Sequence, residues 1–294
     1  MSRPFRFAVN MVTPAVGEEW RKRCRRAEEL GYDVIQVADH LGMPAPGPAM
    51  VAAAYATERP RVGMFVVNAA FWTPQLLARE IATVDALTDG RLEIGLGAGY
   101  VQEEHERAGV PWRTPGGRVD HLAHTVRELD RLLGDEAYAP RPVQRPRPPL
   151  LIGGNGNRVL RLSAEHADIA AFTGARKSPQ DGTLRMMTAD GVAELVATYQ
   201  RFAAERTAPA ELNLLIQRVA VTDDRRAAAR AALHQLPYLT EDEILDLPML
   251  LIGTVRQLAD QLRAQRERYG FSYLTVLDPQ MEAFGPVIGE LRGE

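Results

Sequence analysis

The chain has 294 residues, 46% of them hydrophobic and 25% charged, which is enough apolar material for a sizeable core and excludes a disordered chain. Its net charge of −3, with both signs interspersed, excludes the basic field of a nucleic-acid binder, and Cys24 as the single cysteine excludes an intrachain disulfide and most cysteine-ligated metals. The first ten residues lack the apolar core of a signal peptide and no apolar run reaches the ~18 residues of a membrane span, so a soluble, cytoplasmic protein that engages neither membrane nor nucleic acid is expected.

In chain order, a short apolar run at 5–10 reads as a strand and 18–30 as a helix, with Trp20, Cys24, Ala27 and Leu30 at helical spacing and Gly31 at its C-terminal end. Strand 33–37 follows, then a Pro/Gly-rich loop, a short helix near 49–57 and a third strand over 61–68. Thr73 and Pro74 stand at the cap and first position of a helix expected to turn Leu76, Leu77, Ile81, Val84 and Leu87 inward. A fourth strand covers 91–97, and a helix over 116–134 carries the stripe Val119, Leu122, Val126, Leu129, Leu133. Beyond the proline-rich link 141–149 come a strand over 149–154, a helix over 157–166 and a strand over 168–172. Residues 173–189 read as irregular, 190–205 as helix and 212–221 as a seventh strand, followed by helical pieces to about 249. Thr254 and Gln257 fit a capping box for a helix ending at Gly270; strand 272–278 and helix 281–292 close the chain.

Eight strands alternating with helices in a chain of this length point to a (β/α)8 TIM barrel, α/β in class, a single domain over 1–294 with excursions before and after strand 7. The prolines of 142–149 offer the alternative of two α/β halves. In a barrel, function collects where strands end. Gly95, Gly97 and Gly99 in the stretch GLGAG lack the spacing of a Rossmann fingerprint, and as the end of strand 4 they would let a planar ligand approach the backbone at Gly97, Ala98 and Gly99. Asp39 and His40 follow strand 2 directly; a histidine there can exchange a proton near neutral pH and an adjacent carboxylate can orient it. Gly153, Gly154, Asn155, Gly156, Asn157 and Arg158 form a glycine-rich turn into a helix, a fitting cradle for a phosphate, and Gly253–Thr254 opens a second helix that a plain N-cap also explains. His121 and His124 lack accompanying ligands at zinc spacing, so no metal is expected, and the run EEHE at 103–106 reads as a solvated face, with Glu104 facing a pocket as the alternative. No hydrolase elbow or Walker loop occurs.

The strand with ADH at 38–40, the block from Asn68 through Pro74 to Gly99, and the stretches 148–172 and 251–278 together resemble the luciferase-like barrel flavoenzymes, nearest to their F420-dependent oxidoreductase branch. The resemblance implies a deazaflavin, F420, or alternatively FMN, lying across the barrel near His40, Val67, Asn68 and Gly97–Gly99, with its phosphate on the 153–158 turn and a non-proline cis peptide within 65–68. It also implies hydride transfer to or from a small organic substrate with His40 handling the proton, a homodimer, and a reductase as electron source. Some sugar-phosphate-oxidising members carry a glutamate directly after the strand-4 glycines; Tyr100 stands here instead, which argues against that activity. Alternatives are a reduced-FMN monooxygenase or reductase, a non-catalytic cofactor-binding protein, and a binding protein without flavin. Arg141, Arg145 and Arg147 offer a basic exit for an acidic cofactor tail, or a solvated loop. Loops 41–48, 173–189 and 236–249, with Phe71, Trp72, Tyr100 and Trp112, are expected around the substrate.

Overall fold

Alternate side chains of eight parallel strands converge on one axis in the computed structural model, which describes residues 3–178 and 183–294. The barrel strands are Arg6–Met11, Val34–Val37, Arg61–Met64, Leu92–Gly97, Leu150–Gly153, Ile169–Phe172, Glu211–Ile216 and Phe271–Leu277, numbered 1 to 8 below. Each pairs in parallel with its neighbour in the order 3-2-1-8-7-6-5-4, and pairing of strand 3 with strand 4 closes the ring. The expected TIM barrel is therefore what the chain forms, with helices packed on the outside of the ring.

Local chemistry sets several element ends as expected. The Thr73 side chain caps the helix Pro74–Leu87, Thr254 and Gln257 form the capping box of Val255–Tyr269, and Gly270 ends that helix at φ 84°. Three regions differ from the sequence-based expectation. Strand 3 is broken at a cis Phe65–Val66 peptide, within the stretch the resemblance indicated, and resumes outside the ring as Val67–Asn68. Val62 lies opposite Leu92 but Val67 opposite Leu96, so one extra residue of strand 3 is taken up at the break. Residues 212–221 are two strands: Arg218–Val221 leaves the barrel to pair with Leu250–Gly253, a strand absent from the sequence reading. Ala175–Lys177 and Leu184–Met186 form an antiparallel pair inside the stretch taken as irregular, of which residues 179–182 lie outside the described residues.

The barrel interior is polar at its floor. Arg6 bonds Glu93 and, at 2.5 Å, Glu211; Arg61 reaches Glu93 at 2.9 Å. The Tyr273 hydroxyl donates to Glu93 at 3.1 Å and accepts from Gln36 at 3.0 Å, and Thr275 and Asn213 continue the chain of bonds toward the strand ends. Ala8, Val34, Leu151 and Ile169 fill the space beside this column. Outside the ring, Cys24 of the helix Gly17–Glu29 is fully buried, and burial pushes its thiol up to about 12. The native protein is expected to be inert to a thiol reagent such as DTNB and to react at about one equivalent per chain only after denaturation. Fast reaction in the folded state would mean that this helix opens readily. Among the described residues no helix is long and apolar enough to cross a membrane.

Candidate active site at the C-terminal mouth of the barrel

The parallel strands deliver their C-terminal ends to one mouth, and the ends of strands 2, 3 and 4 bring Asp39, His40, Val67, Asn68, Gly97, Ala98 and Gly99 together. Asp39 and His40 are consecutive at the end of strand 2 and have different partners. Asp39 Oδ2 accepts the backbone N–H of Asn68 at 3.1 Å and so pins the end of strand 3. Its carboxyl is held above the usual range, chiefly by burial, with the bond from Asn68, His40 and the Trp72 side chain opposing and Glu104 reinforcing. His40 Nδ1 instead lies 2.8 Å from Glu104 Oε1, and the edge of its ring meets Tyr100 at 5.9 Å between centroids. The carboxylate beside the imidazole ring is therefore supplied from the loop after strand 4 rather than by Asp39. No hydrogen-bond partner occupies His40 Nε2 among the described residues, and a third of the side chain is exposed (33%).

Glu104 belongs to a six-residue helix, Gln102–Arg107, laid over the mouth after strand 4. Its neighbour His105 is fully buried, 5.2 Å from Phe71 and 4.7 Å from Trp112 between ring centroids. The EEHE run thus carries a buried histidine, against the solvated face expected, and an inward-turned Glu104, the alternative that the sequence offered. Arg118 lies over the Trp112 ring at 3.9 Å and donates to the Gly99 carbonyl at 3.2 Å, tying the loop to the end of strand 4. Tyr100 is largely exposed beside His40, and Trp72, Phe71 and Trp112 are half-buried under this loop.

The strand-4 glycines have a more immediate reason than ligand access. A Cβ at Gly95 would sit 1.8 Å from the Met64 carbonyl oxygen, one at Gly97 2.7 Å from Val66 Cγ2, and one at Gly99 2.5 Å from Asn68 Oδ1. The broken end of strand 3 leans on strand 4, and only glycine leaves room for it. Val66, which no sequence signal singled out, also lies within 3.5 Å of where a Cβ on Gly153 would be, so one side chain bridges the ends of strands 4 and 5.

The turn 153–158 follows strand 5. Gly156 precedes the helix Asn157–His166 and provides no side-chain cap, so the first N–H groups of that helix have no side-chain acceptor, and nothing lies within 4 Å of where a Gly156 Cβ would stand. Gly156, Asn157 and Arg158 are exposed. This open, uncapped N-terminus fits a phosphate. Arg158 is not idle: it pairs with Asp120 and donates to the Gly116 carbonyl at 3.3 Å. Asn155 Nδ2 is bonded to Thr173 Oγ1 and the Ala175 carbonyl, bracing the turn against the end of strand 6. Asp278, at the end of strand 8, accepts the backbone N–H groups of Val12 and Thr13 and shapes the loop after strand 1. That loop and the one after strand 2 face each other across a recess of about 380 Å³ lined by Pro14, Ala15, Val16, Gly42, Met43 and Pro44.

Other candidates are placed elsewhere. Arg147 precedes strand 5, so it lies at the barrel's opposite end, where it binds Asp130 and Asp168, both at 2.6 Å, and cannot line an exit from the mouth. His121 Nε2 donates to the Ala69 carbonyl at 3.0 Å while His124 is exposed. Among the described residues no three His, Cys, Asp or Glu side chains gather as a metal site. Thr254 serves as an N-cap.

The family model of the luciferase-like monooxygenases matches residues 1–241. The chain belongs to that family. This luciferase-like chain is 30% identical over 154 residues to the oxygenase component of the flavin-dependent trigonelline monooxygenase of Acinetobacter baylyi, a match over 46% of this chain and 42% of that protein. It is 26% identical over 266 residues to the F420-dependent glucose-6-phosphate dehydrogenase of Beutenbergia cavernae, covering 82% of this chain and 75% of that one. Among solved structures, the coenzyme F420 dependent tetrahydromethanopterin reductase of Methanopyrus kandleri superposes with a TM-score of 0.77 over 99% of this chain and 100% of that one, at 15% identity, which is a likeness of fold. The chain spans about half or less of the length of several curated relatives, 31% to 51% in the trigonelline enzyme and two others. Luciferase-like relatives of this chain thus include both F420-dependent oxidoreductases and FMN-dependent monooxygenases.

Proposed function

We infer that this luciferase-like chain is an oxidoreductase that uses coenzyme F420 for hydride transfer to or from a small organic substrate. The observation that carries the oxidoreductase part of this reading is His40, which serves either cofactor branch: its Nε2 has no hydrogen-bond partner among the described residues, and its ring stands at the mouth beside the glycine end of strand 4. When bound, the deazaflavin supplies the hydride chemistry. The chain's own part is binding, orientation and proton handling. Val67, Asn68 and Gly97 to Gly99 would hold the ring system, with Asp39 fixing the Asn68 backbone beneath it. The uncapped N–H groups after Gly156 would hold the phosphate, and Arg158 would add charge in competition with Asp120. His40 would give or take the proton that accompanies hydride transfer.

The exposed turn at Gly156 favours F420 over FMN, because a tail continuing past the phosphate meets open space there. Tyr100 in place of a glutamate supports a substrate other than a sugar phosphate. The second reading, a reduced-FMN monooxygenase, draws on the 30% identity to the trigonelline oxygenase component. Titration of the purified protein with F420 and with FMN, read by cofactor fluorescence at matched ionic strength, separates the two. Binding of F420 at least about tenfold tighter, a difference of about 1.4 kcal/mol, is expected. The reverse preference would move the protein to oxygen-dependent chemistry, and binding of neither would remove both readings.

A further inference from the structure

We propose that Glu104 is a positioning residue that holds His40 in the Nδ1–H tautomer, and that buried His105 anchors the helix carrying it. The inference rests on the reading of His40 as the proton-exchanging group. An ionised carboxylate only accepts hydrogen bonds, so at 2.8 Å from Glu104 Oε1 the His40 Nδ1 must be the donor. In the neutral ring Nε2 is then the nitrogen with the free lone pair, and it is the nitrogen left without a partner. A solvated neutral histidine side chain prefers the opposite, Nε2–H, tautomer, so the arrangement has to be imposed by the fold.

Glu104 is 64 residues from His40 in sequence and sits on a helix of only six residues, too short to be stable alone. His105 supplies what the helix lacks. Its Nδ1 faces the Val101 carbonyl at 2.9 Å and must donate to it, which leaves Nε2 to accept from Asn68 Nδ2 at 3.5 Å. The Asn68 amide is itself oriented, since Oδ1 accepts from the Ala70 N–H at 3.1 Å and its backbone N–H is bonded to Asp39. With Phe71 and Trp112 on either side, His105 fixes the helix to the end of strand 3. The end of strand 2 is then gripped twice, through Asp39 to Asn68 and through His40 to Glu104. Consecutive residues on one short helix share the work: His105 holds, Glu104 orients.

The chain has six histidines, so the state of His40 can be read directly by labelling them with ¹⁵N and recording long-range ¹H–¹⁵N correlations on the protein without cofactor at alkaline pH. His40→Gln assigns its signals. In the parent protein the His40 Nε2 resonance is expected at the unprotonated, pyridine-type position and Nδ1 at the protonated one. Glu104→Leu, close in volume, and Glu104→Ala, as a second variant, are both expected to return the ring to a majority of the Nε2–H form. His105→Phe keeps the aromatic packing and both members of the His40–Glu104 pair, and is expected to move the His40 signals the same way. With cofactor and substrate, Glu104→Leu should lower kcat at least about tenfold while KM and cofactor affinity stay within about twofold. A His40 ring whose signals are unchanged in Glu104→Leu and Glu104→Ala would overturn the proposal, and unchanged signals in His105→Phe alone would overturn the anchoring by His105. The tautomer is read without cofactor, so a failed cofactor titration leaves this test intact and the two failures are distinguishable.

Discussion

Replacing His40 by Ala is expected to lower turnover by about 10²–10⁴-fold, the usual share of a positioned general acid or base, while the cofactor dissociation constant stays within about twofold. The expectation follows from where the ring stands. Its contacts are to Glu104 and Tyr100 on the loop after strand 4, whereas the candidate phosphate cradle is built from the turn after strand 5. Loss of the imidazole therefore removes proton exchange without touching the groups proposed to bind the phosphate. Single-turnover rates and fluorescence titration on the same preparation separate the two quantities. Undiminished turnover in the variant would take His40 out of the chemistry, and a parallel collapse of binding would make it a binding residue instead.

The second large effect concerns stability. Arg6→Met should destabilise the protein by about 3–5 kcal/mol at neutral pH, the cost typical of leaving a buried charge without its partner. Glu93 and Glu211 keep only 4% and 6% of their side-chain surface exposed, and Arg6 bonds both of them. Arg61 also reaches Glu93, so loss of Arg6 leaves Glu93 one ion pair, while Glu211 loses its only ion pair among the described residues. Methionine would still cover the Tyr273 ring over which Arg6 lies at 4.4 Å. The pH dependence has a definite sign. Burial already holds the Glu211 carboxyl above its usual range against the pull of Arg6, and removing Arg6 raises it further. A carboxyl raised in the folded state favours folding below its unfolded pKa and loses that contribution as pH rises through the folded value. The deficit of Arg6→Met relative to the parent protein should therefore shrink as pH falls from neutral into the carboxylate range. Urea unfolding at several pH values measures it, and a deficit that grew on acidification would show that the floor network is not organised by Arg6.

The parts of this structure legible in the sequence are those written in local chemistry. Thr73–Pro74, the Thr254–Gln257 pair and Gly270 fix helix ends through their own backbone neighbours, and the alternation of apolar runs with amphipathic stripes is enough to count to eight. Asp39 and His40 could be marked because a polar pair directly after a buried strand of a barrel must stand at its mouth. What the sequence does not spell out depends on long-range neighbours. Leu250–Gly253 is too short and too near helical pieces to announce itself, and becomes a strand because Arg218–Val221 lies alongside it. His105 and Glu104 sit in a run of charge whose periodicity reads as solvent-facing, and only the fold shows that it is wedged between Phe71, Trp112 and His40. The glycines of strand 4 stand out in the sequence, but the reason for them, the leaning end of strand 3, lies about thirty residues away in the chain.

Closing the ring leaves the eight barrel strands paired on both sides, so none of them offers an unpaired backbone row to a second molecule. The free edges described here are confined to short pieces: Arg218–Val221 with Leu250–Gly253, Ala175–Lys177 with Leu184–Met186, and the two residues Val67–Asn68. Val221 and Leu184 on those pieces are exposed apolar residues. Clumping on warming would therefore start at these outlying ribbons while the ring itself was still closed. For anyone who needs concentrated, long-lived preparations, a charged residue at either position is the change to make first.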